Sequence, residues 1–137
     1  MSEYVFVDTN VFLRFFVADV GVLYEKARRL FEKAENGEIK LITSEIVIAE
    51  IVWVLESYYD FNKVEIREVV ETLIHSKGLK VFHSTLIEES MKIYTENNID
   101  FIDAYNGVLM KNKGIKKVAT FDKKHFLRIQ GIEVLDI

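Results

Sequence analysis

The chain has 137 residues, of which 50% are hydrophobic and 29% are charged, and its formal net charge is −4. This composition predicts one folded domain, residues 1–137, and excludes a disordered chain. Because the sequence has no cysteine, it also excludes disulfides and thiolate metal sites. The surplus of acids, 22 against 18 bases, is not typical of a nucleic-acid-binding protein. Any contact with nucleic acid must therefore use a local basic patch or a metal ion.

The apolar runs are far shorter than the roughly 20 residues that a membrane-spanning helix needs. The first apolar run has no basic stretch before it and no small-residue cleavage site, so we expect no signal peptide. These observations predict a cytoplasmic protein without a membrane partner.

Short β-type runs alternate with helical patterns along the chain. Strands are predicted at Tyr4–Val7, Ile39–Ile42, Leu79–Phe82, Lys117–Thr120 and Glu133–Leu135. Helices are predicted at Val11–Ala18, Val22–Asn36, Ser44–Tyr59, Lys63–Lys77, Thr85–Asn97, Phe101–Asn112 and Lys124–Ile129. This alternation predicts an α/β fold with a mainly parallel sheet between helices, whose ligands bind at the carboxyl ends of the strands.

The first candidate site residue is Asp8, in the segment EYVFVDTNVFLRFF. It follows the first predicted strand, where an open α/β fold builds its site. The alternative is that Asp8 only ends the strand, or lies near a helix cap at Asn10.

The second acid is Glu50, in TSEIVIAEIVWVLESYY, where it interrupts a run that is otherwise apolar from Ile46 to Leu55. A helix that is apolar all round is buried in the core or at a subunit interface, and for Trp53 and Tyr58 both readings stay open. A carboxylate in such a helix needs a cation or a hydrogen-bond donor. The alternative is a head group that reaches solvent or pairs with a lysine.

The third acid is Asp103, in NNIDFIDAYNGVLM. Asp100 is interpreted as the N-cap of this helix, so that Asp103 is its third residue, where an acid also favours the helix dipole. The apolar neighbours of Asp103 indicate a packed helix start. Asn106, one turn later on the same face, is a candidate supporting residue.

The fourth acid is Asp122, in KKVATFDKKHF, and it repeats the arrangement of Asp8 on a second strand. Thr120 either hydrogen-bonds within the site or only begins the turn. Because the carboxyl ends of parallel strands meet at one edge of a sheet, we predict that the four acids converge on one pocket.

Four carboxylates in one pocket repel one another unless a cation is present, and oxygen ligands select Mg²⁺ or Mn²⁺. The three histidines show no pair spacing suited to zinc. We interpret His75 as a surface residue and His83 as a structural residue. For His125 we favour a surface position over membership of the site. Carboxylate-bound Mg²⁺ serves phosphate chemistry, so the residues predict metal-assisted hydrolysis of phosphoesters.

Together, four segments resemble the PIN domain family, and more narrowly the VapC-type toxin ribonucleases of prokaryotic toxin–antitoxin pairs. They are VFVDTNVFLRFF, SEIVIAEIVWVL, IDFIDAYNGVLM and VATFDKKHF, and the resemblance runs from Tyr4 to about Leu135. It implies a three-layer α/β/α fold with a five-stranded parallel sheet in the order 3-2-1-4-5.

The resemblance also implies an endoribonuclease that uses one or two Mg²⁺ or Mn²⁺ ions, homodimers and a small antitoxin partner. The family's catalytic and metal-binding acids fall on Asp8, Glu50, Asp103 and Asp122. Its supporting positions are Thr9, Asn10 and Thr120, and Asp100 lies where only some members carry an extra acid.

Basic residues near the fourth acid are candidate RNA contacts, although a solvated lysine face is the alternative. These candidates are Lys111, Lys113, Lys116, Lys117, Lys123 and Lys124, and Arg14, one turn into the first predicted helix, is a further candidate.

Three rival functions stay open. The chain is also compatible with a non-catalytic PIN module that binds RNA or protein, and with a housekeeping RNA-processing nuclease. An aspartyl-phosphate phosphatase is disfavoured, because Asn10 replaces the second acid of the D-x-D-x-T pattern and the acidic pair of receiver domains is missing.

Overall fold

A computed structural model describes residues 4–137, and within them short parallel strands alternate with helices. The strands are β1 Tyr4–Phe6, β2 Lys40–Thr43, β3 Leu79–Val81, β4 Lys117–Ala119 and β5 Glu133–Leu135. The helices are α1 Thr9–Val17, α2 Gly21–Glu35, α3 Glu45–Ser57, α4 Lys63–Ile74, α5 Ser84–Glu96, α6 Phe101–Asn112 and α7 Lys123–Phe126.

Each predicted strand and helix is present, which confirms the α/β class. Most ends differ from the prediction by one to three residues, while α6 and β5 have the predicted bounds. The glycines after three helices adopt the positive φ that an L-residue avoids: +81° at Gly37, +85° at Gly78 and +70° at Gly114. Gly37 and Gly114 directly follow the C-cap residues of α2 and α6, whereas α4 ends at Ile74, well before Gly78.

The chain divides into two compact units, a first that ends at Ser84 and a second from Thr85 to Ile137. In the first unit, β2 lies between β1 and β3, and both pairs are parallel. The register pairs Val5 with Leu41 and Leu41 with Leu79. This arrangement brings the carboxyl ends of β1, β2 and β3 to one edge of the sheet.

The core of the first unit is built from β2, α1, α3 and α4. Leu41, Phe12, Ile51 and Ile66 have no exposed surface, and the Phe12 ring stacks on Phe31 with centroids 5.5 Å apart. Burying an aliphatic or aromatic side chain of this size contributes about 1.5–3 kcal/mol. The start of α1 and the middle of α3 are thereby held in a rigid frame.

In the second unit, β4 and β5 form a parallel pair in which Val118 lies opposite Val134. Gly107 of α6 faces the end of this unit so closely that a Cβ there would lie 2.7 Å from Cδ1 of Ile129. Any side chain at this point would require the end of the Ile129 side chain to move, because α6 packs directly on the segment that follows α7.

The five strands do not form the single sheet that the resemblance implied. In residues 4–137 there is a three-stranded sheet in the order β1-β2-β3 and a separate two-stranded sheet of β4 and β5. The neighbours within each sheet agree with the order 3-2-1-4-5. Local patterns encode where strands form, whereas strand order depends on tertiary contacts that a local pattern does not contain.

The apolar run around Glu50 predicted a helix that is buried on all faces. In this chain the helix is buried on one face only. Val47, Ile48 and Ile51 of α3 are in the core, but Ile46 is 73% exposed and Trp53 is 68% exposed. A helix that packs one face on a sheet leaves its opposite face outside, whatever residues that face carries. No helix in residues 4–137 is long and apolar enough to cross a membrane.

Candidate active site

Asp8 is the second residue after β1, at the edge of the sheet where the carboxyl ends of β1, β2 and β3 meet. It is the N-cap residue of α1, with φ −86° and ψ 163°, yet its side chain makes no capping hydrogen bond. The carboxylate is exposed. The alternative of a helix cap at Asn10 is wrong, because Asn10 lies inside α1 and Asp8 is the N-cap residue, which places a negative group at the positive end of the helix.

Thr9 connects this helix start to Glu50. The Thr9 side chain is 5% exposed, and its hydroxyl donates a hydrogen bond to Oε1 of Glu50 on α3. At the same edge, the buried hydroxyl of Thr43 donates to the carbonyl of Val7 at 2.9 Å and ties the ends of β1 and β2 together. The first two predicted acids thus belong to adjoining segments of one unit.

Glu50 itself is exposed at its head group. Thr9 supplies the hydrogen-bond donor that its carboxylate was predicted to need, and of the two predicted settings for this helix position, core or interface, the core is wrong. Asn10, predicted to support the site, is exposed at the second position of α1.

In the second unit, Asp103 is the third residue of α6, as predicted. Its Oδ2 lies 2.7 Å from Nδ1 of His125, while Oδ2 of Asp100 lies 3.7 Å from the same nitrogen. The side chains of Asp103 and His125 are 23% and 14% exposed. The shorter distance is a hydrogen bond, and the longer one is only an electrostatic contact.

His125 is the residue that sequence reasoning placed wrongly. It was interpreted as a surface residue, but its side chain is largely covered and contacts Asp103. The signal was present in the sequence, since His125 follows Asp122 by three residues on a short helix. A second pair that was not predicted joins His83, after β3, to Glu45 at the start of α3.

Asp122 is exposed and occupies the N-cap position of α7, again without a side-chain capping bond. Thr120 holds the turn before it: the backbone N–H of Asp122 donates to the Thr120 hydroxyl at 3.0 Å. Of the two roles considered for Thr120, the structure shows the turn. Asn106, the other predicted supporting residue, is exposed on α6.

The polar N-cap residues of five helices divide into two groups. Ser44 and Asn62 cap α3 and α4 through their side chains, and Asn62 with Glu65 forms a full capping box. Asp8, Asp100 and Asp122 hold the same position at α1, α6 and α7 without using their side chains as caps. Their carboxylates remain available to other partners, which is what a ligand site requires.

The residues present fit a hard divalent cation. Asp100, Asp103 and His125 each offer one ligand atom, and these atoms lie within 4.8 Å of one another. Asp8 and Glu50 add carboxylate oxygens in the first unit. Carboxylates suit Mg²⁺ and Mn²⁺, and an imidazole nearby is more compatible with Mn²⁺ than with Mg²⁺.

The predicted RNA-contact residues fall into two situations. Arg14 pairs with Asp19, with Nη1 3.3 Å from Oδ1. The lysines are all exposed: Lys111, Lys113, Lys116, Lys117, Lys123 and Lys124.

The PIN domain family matches residues 5–132, a range that contains all four predicted acids. The chain belongs to the PIN domain family. Among characterised relatives, this PIN domain is 32% identical over 117 residues to a VapC ribonuclease from Aquifex aeolicus (strain VF5). The similar region covers 85% of this chain and 86% of the relative. The resemblance drawn from four short segments is thereby confirmed.

Proposed function

We propose that this PIN domain is a metal-dependent endoribonuclease that hydrolyses RNA phosphodiester bonds. Asp8, Glu50, Asp103 and Asp122 are the proposed catalytic acids, and they would hold one or two Mg²⁺ or Mn²⁺ ions. The observation that carries the proposal is that all four acids lie inside the PIN match, which runs through both units. The relative named as a ribonuclease supports RNA as the substrate.

The local geometry supports the same chemistry in each unit. Thr9 orients Glu50 beside the Asp8 segment, and His125 contacts Asp103. A bound Mg²⁺ or Mn²⁺ would lower the pKa of a coordinated water and offset the charge that develops on the phosphate. The acids of this chain would bind and orient that cation, and the donors Thr9 and His125 would fix the direction of two of the acids.

The fold proposal follows from the same family assignment. We propose one PIN domain, residues 1–137, in which helices cover both faces of the parallel strands. The neighbours observed within β1-β2-β3 and within β4-β5 support it.

RNA would approach through local positive charge. The six exposed lysines flank β4 and the Asp122 turn, so a phosphate backbone drawn to them would come next to an acidic site residue. This explains how a chain with net charge −4 would bind RNA.

We further propose that the protein is the toxin of a toxin–antitoxin pair that acts on RNA in the cytoplasm. The VapC relative supports this role, and a small antitoxin would be its protein partner. We also propose a homodimer, which the exposed Ile46, Trp53 and Tyr58 support as apolar surface. Light scattering at micromolar concentration tests the dimer, and a monomer there would rule it out.

The central test is cleavage of a mixed RNA pool with mapping of the product ends. We expect cleavage with Mg²⁺ or Mn²⁺, none with EDTA, and none for Asp8→Asn, which keeps the size of the side chain and removes its charge. Equal cleavage under all three conditions would contradict a metal-dependent site. RNA binding without cleavage by the unmodified protein would instead support the non-catalytic alternative.

A further inference from the structure

We propose that His125 is a positioning residue: it donates a hydrogen bond from Nδ1 to Oδ2 of Asp103 and fixes the direction in which that carboxylate binds a cation. The inference rests on the proposed function and assigns a role to a residue outside the four acids.

The contact distance assigns Nδ1 of His125 to Asp103 and not to a metal, and the spin-echo measurement below tests ligation through Nε2. A carboxylate only accepts hydrogen bonds, so at 2.7 Å from Oδ2 of Asp103 the Nδ1 atom of His125 carries the proton. A protonated nitrogen has no lone pair for a metal. The hydrogen bond uses one lone pair of Oδ2 and holds the carboxylate in place, so that Oδ1 of Asp103 is the oxygen that would bind the cation.

Asp100 does not compete for the same proton. Its Oδ2 is 3.7 Å from Nδ1 of His125, which is too long for a hydrogen bond, and its side chain is 70% exposed. One N–H therefore serves one acid, and that acid is Asp103.

The setting of His125 suits a fixed donor. Its side chain is 14% exposed, and the next residue, Phe126, is buried at 6% exposure and anchors α7. Asp103 is held on a twelve-residue helix. The donor is more covered than the acid, so the acid is oriented from its protein side and open towards solvent.

The test compares His125→Asn with His125→Leu by titration with Mn²⁺, reading free Mn²⁺ by electron paramagnetic resonance on the full chain. The amide nitrogen of Asn occupies the place of Nδ1, while Leu has the same branching without a donor. We expect Asn to bind Mn²⁺ within about 3-fold of the unmodified protein and Leu to bind about 10-fold more weakly, as is usual when a partner of a metal ligand is lost. His75→Ala, which removes an exposed histidine of the first unit, is the control for loss of any histidine.

A double variant separates positioning from a merely structural effect. If His125 acts through Asp103, His125→Leu should weaken Mn²⁺ binding little further in an Asp103→Asn background. An additional 10-fold loss there would overturn the proposal. Unfolding midpoints of each variant show whether the fold is retained, and Asn restores the donor if Leu alone destabilises it.

Three results would reject the inference, and they differ in what else they reject. Equal Mn²⁺ binding by the Leu variant and the unmodified protein, with a loss for Asp103→Asn, would reject the role of His125 and leave the proposed nuclease intact. A nitrogen coupling in the Mn²⁺ spin-echo spectrum that disappears in His125→Asn would show direct ligation instead. No Mn²⁺ binding by the unmodified protein, or binding unaffected by Asp103→Asn, would reject both this role and the proposed metal site.

Discussion

Each unit of the protein holds one site carboxylate with one hydrogen-bond donor, but the donors differ. In the first unit the hydroxyl of Thr9, 5% exposed, donates to Glu50. In the second, the imidazole of His125 contacts Asp103 from a helix of four residues. In both, the donor is more buried than the acid. In each unit the acid is therefore oriented from the packed side, while its charge lies towards solvent.

The largest effect should come from removing either acid of this comparison. Glu50→Gln and Asp103→Asn keep the side-chain size and abolish the charge, so each should lower kcat/KM for RNA cleavage by about 100-fold or more, the scale for losing one preorganised electrostatic contact. Initial rates on a fluorescent RNA measure it. If Glu50→Gln retained full activity while Asp103→Asn did not, the first unit would not contribute to catalysis through Glu50.

The next effect concerns the free energy of unfolding, which depends on the packing of the two units that carry the donors Thr9 and His125. Gly78 has φ +85°, and a Cβ there would lie 2.3 Å from the carbonyl oxygen of Ala34, a backbone atom that cannot move aside. Gly78→Ala should therefore lower the free energy of unfolding by about 2 kcal/mol.

Gly107→Ala in the second unit is the matched variant. Its Cβ would meet Cδ1 of Ile129 at 2.7 Å, the end of a flexible side chain, and alanine gains about 1 kcal/mol of helix propensity over glycine. We expect a net loss below about 1 kcal/mol, measured by chemical denaturation. A larger loss of unfolding free energy for Gly107→Ala than for Gly78→Ala would show that the second unit is the more tightly packed one at its glycine.

A smaller effect should follow from removing the first donor. Thr9→Val keeps the shape and deletes the hydroxyl, so Glu50 loses its fixed orientation and activity should fall by about 10-fold. Because the carboxylate of Glu50 reaches water, stability should change by less than about 1 kcal/mol. Thr9→Ser retains the hydroxyl and should retain activity. Full activity for Val together with a loss for Ser would mean that the Thr9 methyl group, and not its hydroxyl, matters.

Local sequence predicted the elements well because local signals determine them. Gly37 and Gly114 follow the ends of α2 and α6 with the positive φ expected of them. Apolar runs gave all five strands, and Asp103 was placed correctly at the third position of α6. Each of these features depends on a few neighbouring residues.

The missed features depend on residues that are distant in the sequence. The Thr9–Glu50 bond joins residues 41 positions apart, and the His125–Asp103 contact joins residues 22 positions apart. No periodicity predicts such pairs. The same limit explains why α3 was predicted as buried all round: its apolar run does not tell which face packs on the sheet. For Asp100, the N-cap position was correct, but the sequence did not indicate that the side chain leaves the cap unused.

The smallest effects should come from the basic residues, and they again differ between the units. Lys116 and Lys117 are exposed in the second unit, while Arg14 in the first pairs with Asp19. If each lysine contacts one phosphate, Lys116→Gln and Lys117→Gln should each reduce the slope of log K against log salt for RNA binding by about 0.7. Arg14 must first leave Asp19, an exposed pair worth about 0–1 kcal/mol, so Arg14→Gln should change the slope less.

Binding titrations with the inactive Asp8→Asn protein between low and moderate salt measure all three slopes. An unchanged slope for both lysine variants would leave these lysines as a solvated face, and a larger change for Arg14→Gln would move the RNA path to the first unit.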